Sequence, residues 1–409
     1  MIRIYKNKTF GSVLLVSGTS IGAGMLALPI ATGAAGFLLS MILFLICFAF
    51  MLLSLFYLMA ATLRSSHRHP NLITMCKESL GPLGECIAWL TFLMLLYSVA
   101  AAYLSGGGSL ISDLVKIGIG YNLSEKIGTA IFLAVFGLTI FFGTKIVDVI
   151  NRVCMTGLIL SFLSLFFFVA PHAQLSHLKG GDPKYLWASI PVVILSFTSH
   201  IIMPTLNTYL KGNISQLKKA LFFGSVISLI FYLVWECLII GSLPLKGSWS
   251  LETMSRSPYP IAKLTETLHV LFKTPWIGLS VGLFSFFALI TSFFGVTLSL
   301  YDFLADGFKI QKQGKGKLFL LIWMFIPPLL FALFFPNGFI TALGYGGVFV
   351  AVLYGILPPW MVWRQRYIKK KKGPFQVFGG RWFLCLMIVG SLGVILFQIG
   401  ATQKWLPTV

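Results

Sequence analysis

The sequence predicts an all-α polytopic membrane protein with eleven transmembrane helices. Hydrophobic residues make up 57% of the 409 residues and charged residues only 10%, which is too little polar surface to cover a water-soluble domain. Apolar blocks of about 20 residues, the length that crosses a bilayer, recur along the whole chain. Short basic segments separate these blocks, so we expect one transmembrane domain over residues 1–409.

Each predicted span is a mainly apolar block that ends at basic, polar or helix-breaking residues. The first block follows a short basic segment, as in a secretory signal peptide, but it is long and ten more blocks follow, so we expect an uncleaved first helix. In chain order, the predicted spans are 10–33, 37–63, 86–112, 127–144, 153–170, 186–209, 220–243, 275–305, 317–335, 338–363 and 382–403.

The basic residues predict how these spans are oriented. A nucleic-acid-binding protein gathers its basic residues on one folded face, whereas the formal net charge of +20 is here scattered between apolar spans. With a cytoplasmic N-terminus, 22 of the 31 Lys and Arg residues fall in inside segments, and segment 364–381 is the strongest anchor. We therefore predict that the N-terminus is cytoplasmic, that the C-terminus is outside, and that no nucleic acid is bound.

Cysteines and histidines show no pattern of a disulfide framework or a metal site. None of the six cysteines lies in a predicted outside loop or has metal-like spacing, and the six histidines form no zinc motif. We expect neither disulfides nor a bound metal.

Glycines and hydroxyl residues interrupt the first span near the middle of the bilayer, within 18–25, and Pro29 follows them. A helix that breaks there exposes unpaired N–H groups and the positive end of a helix dipole, which bind a carboxylate without any charged side chain. Small residues also allow close helix packing, and this segment alone does not decide between the two interpretations. The candidate substrate-binding residues are Thr19, Ser20, Gly22, Ala23 and Gly24.

The third span carries small and hydroxyl residues on one helical face, where another helix can approach closely. These residues are Ser98, Ala101, Ser105, Gly108 and Ser112. Tyr103 lies beside this stripe and is a candidate wall for an aromatic ligand, together with Phe197 and Thr198 of the sixth span.

The sixth span contains a titratable side chain, His200, followed by Pro204. Proline removes a backbone hydrogen bond and frees a carbonyl group, so this helix can also break. His200 could bind substrate or a proton, or could hydrogen-bond a neighbouring helix.

The seventh span contains Glu236, which the segmentation places well inside the hydrocarbon. Inserting a charged side chain at this depth costs about 2.5–3.5 kcal/mol. Two explanations stay open: a neutral acid paired with a neighbour such as Tyr232, or a group that carries a coupling proton.

Small and polar residues line one face of the eighth span. They are Ser285, Ala288, Ser292, Gly295, Ser299, Asp302 and Asp306. Thr291 and Ser292 place adjacent hydroxyls at mid-span. Such a pair can hold a small cation together with free backbone carbonyls, or can bond back to its own helix.

These segments resemble the hydroxy/aromatic amino acid permease family of the amino acid/polyamine/organocation superfamily. Eleven spans with a cytoplasmic N-terminus are also typical of that family, and the sequence is most similar to its tyrosine-specific branch. One departure is that the family's sixth span carries Phe-Gly-Phe-His, whereas 196–200 here keeps Phe and His without the glycine. The resemblance covers essentially the whole chain and is carried by 18–29, 101–106, 188–192, 291–296, 301–306 and 342–346.

The resemblance implies a LeuT-like fold with inverted repeats at about 10–170 and 186–363, an extra helix at 382–403, and substrate between the broken first and sixth helices. It further implies import of an aromatic amino acid, most specifically tyrosine, with a proton across the bacterial inner membrane, so that the outside C-terminus is periplasmic. No cofactor and no obligatory protein partner is implied. His200 is then the first candidate for proton coupling and Glu236 the second, whereas Thr291 and Ser292 would serve sodium.

Four other functions compete with this one. A permease for tryptophan or phenylalanine and a sodium-coupled symporter fit the same residues. A passive pore would need a continuous polar lining or rings of charge, whereas the polar stripes here stop near mid-bilayer. A membrane enzyme fits less well, because no nucleophile, base and orienting group assemble within the spans.

Overall fold

A computed structural model describes residues 8–22, 24–66, 71–257, 259–272, 275–335, 338–371 and 373–407. These residues are mostly helical and include no β-strand, which confirms the predicted all-helical class. The α-helices are α1 (Lys8–Ser20), α2 (Gly24–Thr32), α3 (Phe37–Thr62), α4 (Leu72–Leu80), α5 (Pro82–Ile119), α6 (Glu125–Phe132), α7 (Leu138–Phe141), α8 (Thr144–Val169), α9 (Leu175–Leu178), α10 (Leu186–Ser196), α11 (Met203–Tyr209), α12 (Ile214–Ser242), α13 (Leu251–Ser255), α14 (Pro260–Phe272), α15 (Pro275–Phe308), α16 (Gly314–Phe334), α17 (Gly338–Val350), α18 (Leu357–Trp363) and α19 (Gly380–Thr402).

Ten of the predicted spans coincide with helices that can cross a bilayer. In the described part of the chain, nine helical segments are long and apolar enough, and α1 with α2, bent by 53° at their junction, forms a tenth. The predicted fourth span, 127–144, corresponds to α6, a π-helical turn (Leu133–Gly137) and α7, which end before Gly143 at φ 105°. This stretch is shorter than the roughly 20 residues that a crossing needs, so a count of eleven stays a prediction.

Gly36 determines the shape of the turn between α2 and α3. Gly36 has φ 87° and donates its N–H to the carbonyl of Gly33 at 3.0 Å. A Cβ at Gly36 would lie 1.9 Å from the carbonyl oxygen of Gly180, so no side chain fits there. The sharp turn brings α3 back beside α2.

The long helices pack around α5, α10, α12 and α15. α15 packs along α5 and α8, α17 packs between α5 and α10, and α1 lies along α12. α10 also packs against α2 and α3. The interrupted first and sixth spans therefore lie together inside the bundle, with α3, α12 and α17 as their neighbours.

The basic segment after α18 also makes packing contacts at the end of the bundle where the charge pattern predicts the cytoplasm. Lys371 forms an ion pair of 2.9 Å with Glu78, which also accepts hydrogen bonds from Ser65 and Ser66. Burial raises the pKa of Glu78, but the hydrogen bonds from Lys371, Ser65 and Ser66 outweigh it and lower the pKa to about 2. A segment that sequence analysis treats as topogenic thus also ties together the ends of α3 and α4.

Candidate functional site

Two spans are broken where they meet. α1 ends at Ser20 and α2 begins at Gly24, and the intervening Ala23 lies outside the described residues. The sixth span leaves the α-helix after Ser196 and resumes as a 3-10 turn at His200–Ile202 before α11. Phe197 and Ser199 have φ −85° and −120°, which any L-residue adopts, so this break does not require the glycine found in the related family.

Ser196 joins the two breaks. Its hydroxyl donates to the carbonyl of Val192 at 2.9 Å and lies 3.4 Å from the carbonyl oxygen of Gly24. A Cβ at Gly24 would lie 3.2 Å from Ser196 Oγ. The absence of a side chain at Gly24 therefore lets the start of α2 approach the end of α10.

Tyr232 of α12 connects the last residues of α1 and α10. Its fully buried hydroxyl lies 2.6 Å from the carbonyl oxygen of Ser20 and 2.6 Å from that of Ser196. Carbonyls at helix C-termini lack intrahelical donors and carry the negative end of the helix dipole. A hydroxyl has one proton and can satisfy only one of them at a time, so the other can accept from a second donor. From the sequence, Tyr232 is a possible hydrogen-bond partner of Glu236. In the structure its hydroxyl lies instead beside the carbonyls of Ser20 and Ser196.

Tyr103 and Ser292 approach the break in the first span from α5 and α15. The buried Tyr103 hydroxyl hydrogen-bonds the Ser292 side chain. A Cβ at Gly22 would lie 2.7 Å from Ser292 Oγ. The structure thus brings Gly22, Tyr103 and Ser292 together at one point.

Aromatic rings enclose the break in the sixth span. The buried ring of Phe197 packs edge-on against Tyr232, with ring centroids 5.1 Å apart, and against Phe44 and Phe48 of α3 at 6.3 and 6.1 Å. We use the term central site for the predicted residues that converge here and for Ser196 and Tyr232, which are not predicted site residues. These residues are Ser20, Gly22, Gly24, Tyr103, Ser196, Phe197, Tyr232 and Ser292.

Three other candidate hydroxyls bond back to their own helices. Thr19 lies on an exposed face and donates to the carbonyl of Leu15 at 2.7 Å. Thr198 donates to Ile194 at 3.3 Å, and Thr291 donates to Phe287 at 2.8 Å. For Thr291 this is the alternative that the sequence left open. Each oxygen keeps lone pairs for a ligand, so their roles stay predictions.

Two exposed glycines lie between the central site and the predicted cytoplasmic end of the bundle. Gly18 lies in α1, four residues before Gly22. Gly295 lies in α15, about one turn after Ser292. Both glycines are exposed, and a Cβ at either would meet nothing within 4 Å. Asp302, further along the same face of α15, is also exposed. α1 and α15 therefore both carry a small, exposed position on the cytoplasmic side of the central site.

His200 points into a separate buried network beside the central site. Its Nε2 lies 3.1 Å from Ser54 Oγ on α3, and its ring stacks on that of Tyr354 with centroids 4.6 Å apart. Ser54 donates its proton to the carbonyl of Tyr354. Because a carbonyl only accepts, Ser54 Oγ must accept from His200 Nε2–H, which leaves Nδ1 without a proton. Nδ1 is buried and has no hydrogen-bond partner.

The carbonyl of Tyr354 is free for a reason that the sequence contains. Tyr354 lies in a π-helical turn (Ala351–Ile356), and the residues four and five positions later are Pro358 and Pro359. Neither proline has an N–H, so the helix cannot satisfy this carbonyl and Ser54 does so instead. Ser54 and Tyr354 are not among the residues predicted from the sequence. The proline pair is the feature of the sequence that indicates a free carbonyl at Tyr354.

Glu236 lies one turn beyond Tyr232 on α12 and is fully buried. Oε1 contacts the hydroxyl of Thr32, the Ser40 side chain also hydrogen-bonds the carboxyl group, and Oε2 has no partner. The Thr32 hydroxyl also lies 2.8 Å from the carbonyl oxygen of Leu28, to which its single proton can be donated. If the proton goes to Leu28, Glu236 is the donor to Thr32 and is neutral; if it goes to Oε1, Thr32 is the donor to Glu236. In the described chain no Lys, Arg or His forms an ion pair with it.

Comparison with known proteins gives a consistent result over the whole length. The model of the tryptophan/tyrosine permease family matches residues 5–398. Tyrosine-specific transport system 2 of Haemophilus influenzae is 35% identical, with 99% of each chain covered, and transport system 1 of the same organism is 35% identical over 96% of each. The low affinity tryptophan permease of Escherichia coli is 30% identical over 98% of each. The chain is therefore a multi-pass membrane permease and not an enzyme, and it belongs to the tryptophan/tyrosine permease family.

Proposed function

We propose that this permease imports tyrosine together with a proton across the bacterial inner membrane. The observation that carries the proposal is the meeting of two broken helices at a buried site with aromatic walls. Broken helices offer both polarities needed for a zwitterion: free N–H groups where a helix starts and free carbonyls where one ends. The relatives are named as transporters of tyrosine or tryptophan, which supports an aromatic amino acid as the substrate.

The backbone ends fit the two charges of an amino acid. The start of α2, at Gly22 and Gly24, would bind the carboxylate, because the first N–H groups of a helix have no intrahelical acceptor. The carbonyls of Ser20 and Ser196 would accept from the ammonium group, because Tyr232 satisfies only one of them at a time. No charged side chain is needed at either point.

The architecture we propose is the five-plus-five inverted repeat with one added helix. The broken spans are the first and the sixth, which is the spacing that a repeat of five spans requires. Separation of α1 from α15 beside the exposed Gly18 and Gly295 would release substrate to the cytoplasm, and α1 closing on α15 would seal the site. In this scheme the N-terminus is cytoplasmic and the C-terminus periplasmic, as the basic residues predict.

Uptake into sealed membrane vesicles tests the transport mode. With an imposed pH gradient, we expect radiolabelled tyrosine to accumulate above its external concentration. Equilibration to the external concentration and no further would indicate a passive pore and would overturn the proposal.

Competition experiments test the preference for tyrosine. We propose that Tyr103, Phe197 and Thr198 surround the substrate ring, with Thr198 as partner of the phenolic hydroxyl. A site that pairs a buried hydroxyl rejects the analogue without it by as much as about 10⁴-fold. Phenylalanine should therefore compete poorly with labelled tyrosine. Equal competition by phenylalanine or tryptophan would indicate a general aromatic permease, and competition by leucine would remove the aromatic assignment.

The variant Tyr232→Phe tests the bridge between the two broken helices. It removes the one proton that the carbonyls of Ser20 and Ser196 share, which leaves one more buried acceptor unpaired at a cost of about 1–3 kcal/mol if no ligand replaces the donor. We expect tyrosine uptake to fall at least about tenfold, with a lower thermal midpoint of the purified protein.

Tyr57→Phe is the matched control for this variant. Tyr57 is as buried as Tyr232, but its hydroxyl has no hydrogen-bond partner, so its removal should leave uptake and thermal midpoint unchanged. Similar behaviour of the two variants would show that the bridge has no special role.

A further inference from the structure

A polar cavity of about 260 Å³ lies at the end of the bundle that the charge pattern predicts to face outside. The end of α5, the start of α6 and α14 enclose it, and the exposed residues Lys116 and Asn122 form its rim. Its charged lining residues are Asp113, Lys116, Glu125, Lys263 and Glu266.

An adjoining cavity of about 180 Å³ is more apolar. It shares Glu125 and Tyr259 with the polar cavity, and its far wall is formed by 332–334 of α16. Ser105 also lines it, two residues after Tyr103 on α5. The two cavities together, which we name the outer chamber, therefore lie further along α5 than Tyr103, on the predicted outside of the central site.

Some charged side chains of the outer chamber form ion pairs and others do not. Lys263 pairs with Glu266 at 2.9 Å and lies 4.3 Å from the ring centroid of Trp249. Glu125 accepts a hydrogen bond from Ser112, but its Oε2 is buried without any partner. Asp113 faces the same space and makes no ion pair within the described chain.

From this arrangement we infer that the outer chamber binds the substrate before it reaches the central site, with the substrate ammonium held by Glu125 and Asp113. Lys116 faces the substrate carboxylate across the polar cavity, and the aromatic side chain lies against Tyr259 in the apolar one. An ammonium group supplies the hydrogen bond that Glu125 Oε2 lacks.

The dimensions of the chamber agree with such a ligand. Small-molecule sites occupy roughly 300–1,000 Å³, and the two connected cavities together reach the lower part of this range. A polar half beside an apolar half matches a zwitterionic head with an aromatic side chain. This inference rests on the proposed amino acid substrate. It adds a binding step in the outer chamber that precedes binding at the central site.

The first test is the variant Glu125→Gln, with Asp113→Asn as a second variant should the first fold poorly. We expect either one to raise the half-saturation concentration of tyrosine uptake about tenfold while the maximal rate stays within about twofold of wild type. The control is Glu252→Gln, because Glu252 lies on the same side of the bundle and pairs with Arg256 outside the chamber. Unchanged half-saturation in both chamber variants would overturn the inference.

The second test measures equilibrium binding of radiolabelled tyrosine to purified protein in which Gly22→Leu blocks the central site. We expect residual weak binding that tyramine displaces, that 4-hydroxyphenylpropionate, which lacks the amine, does not displace, and that the added Glu125→Gln change abolishes. No residual binding, or binding insensitive to Glu125→Gln, would contradict the chamber. Failure of the wild type to accumulate tyrosine would instead contradict the proposed function, whatever the binding result.

Discussion

Replacing Gly22 with leucine is expected to abolish tyrosine uptake. A Cβ at this position would lie 2.7 Å from Ser292 Oγ, and the rest of a leucine side chain would fill the space between the start of α2 and Tyr103. The carboxylate would then lose access to the unpaired N–H groups at this helix start. We expect uptake at low tyrosine concentration to fall at least about 100-fold, which corresponds to about 2.8 kcal/mol.

Gly11→Leu is the matched control for this prediction. Gly11 is in α1, the helix that precedes the break at Gly22, and a Cβ there would meet nothing within 4 Å. Both variants should insert into the membrane in equal amounts, measured by immunoblot, while only Gly11→Leu transports. Gly24→Leu should resemble Gly22→Leu, because a Cβ there would lie 3.2 Å from Ser196 Oγ. Transport at the wild-type rate by Gly22→Leu would exclude the proposed carboxylate site.

The glycines at the first break could be identified from the sequence because their chemistry is local. Two glycines among hydroxyl residues in an otherwise apolar block allow either an interrupted helix or close helix packing, and the structure has the interruption at that point. The break in the sixth span was harder to predict. Phe197 and Ser199 adopt backbone angles open to any L-residue, so no glycine marks the position.

The convergence of the site could not be read from spacing alone. Tyr232 is one of many aromatic residues in an apolar span, and only the packing of α12 against α1 and α2 shows that its hydroxyl reaches Ser20 and Ser196. The same limit applies to His200. Periodicity places it on the sixth span, but its partners Ser54 and Tyr354 are about 150 residues away in either direction. Long-range contacts of this kind depend on how the helices are arranged, which helical periodicity does not encode.

The second large effect is the loss of tyrosine accumulation when the residue that binds the coupling ion is replaced. The structure gives a specific reason to expect a proton at His200. The hydrogen-bond chain through Ser54 leaves Nδ1 as a buried acceptor without a partner, so the neutral ring has one vacant position for a proton. The ring of Tyr354, stacked at 4.6 Å, would favour the cationic form through its π face. His200 also follows Phe197 by three residues, so a charge there would act on the break in the sixth span.

His200→Gln should therefore uncouple transport. Glutamine can still donate to Ser54 but cannot take up a proton. A pH step of one unit supplies about 1.4 kcal/mol per proton, enough for about tenfold accumulation in wild-type vesicles. We expect His200→Gln to equilibrate tyrosine with an accumulation ratio near one. Glu236→Gln should keep most of the wild-type accumulation, because its amide is close in shape to the neutral acid and preserves the contact with Thr32.

Sodium-free buffer with a protonophore separates the two candidate ions. With proton coupling, wild-type uptake persists without sodium and collapses when the protonophore removes the pH gradient. If removing sodium stops uptake while an imposed pH gradient has no effect, the ion is sodium. Thr291 and Ser292 are then its ligands, because their oxygens lie on α15 at the point where that helix meets Gly22. If Glu236→Gln loses accumulation and His200→Gln retains it, the coupling proton is carried by Glu236 on α12, and the network of His200, Ser54 and Tyr354 serves only to hold α3 against the broken sixth span.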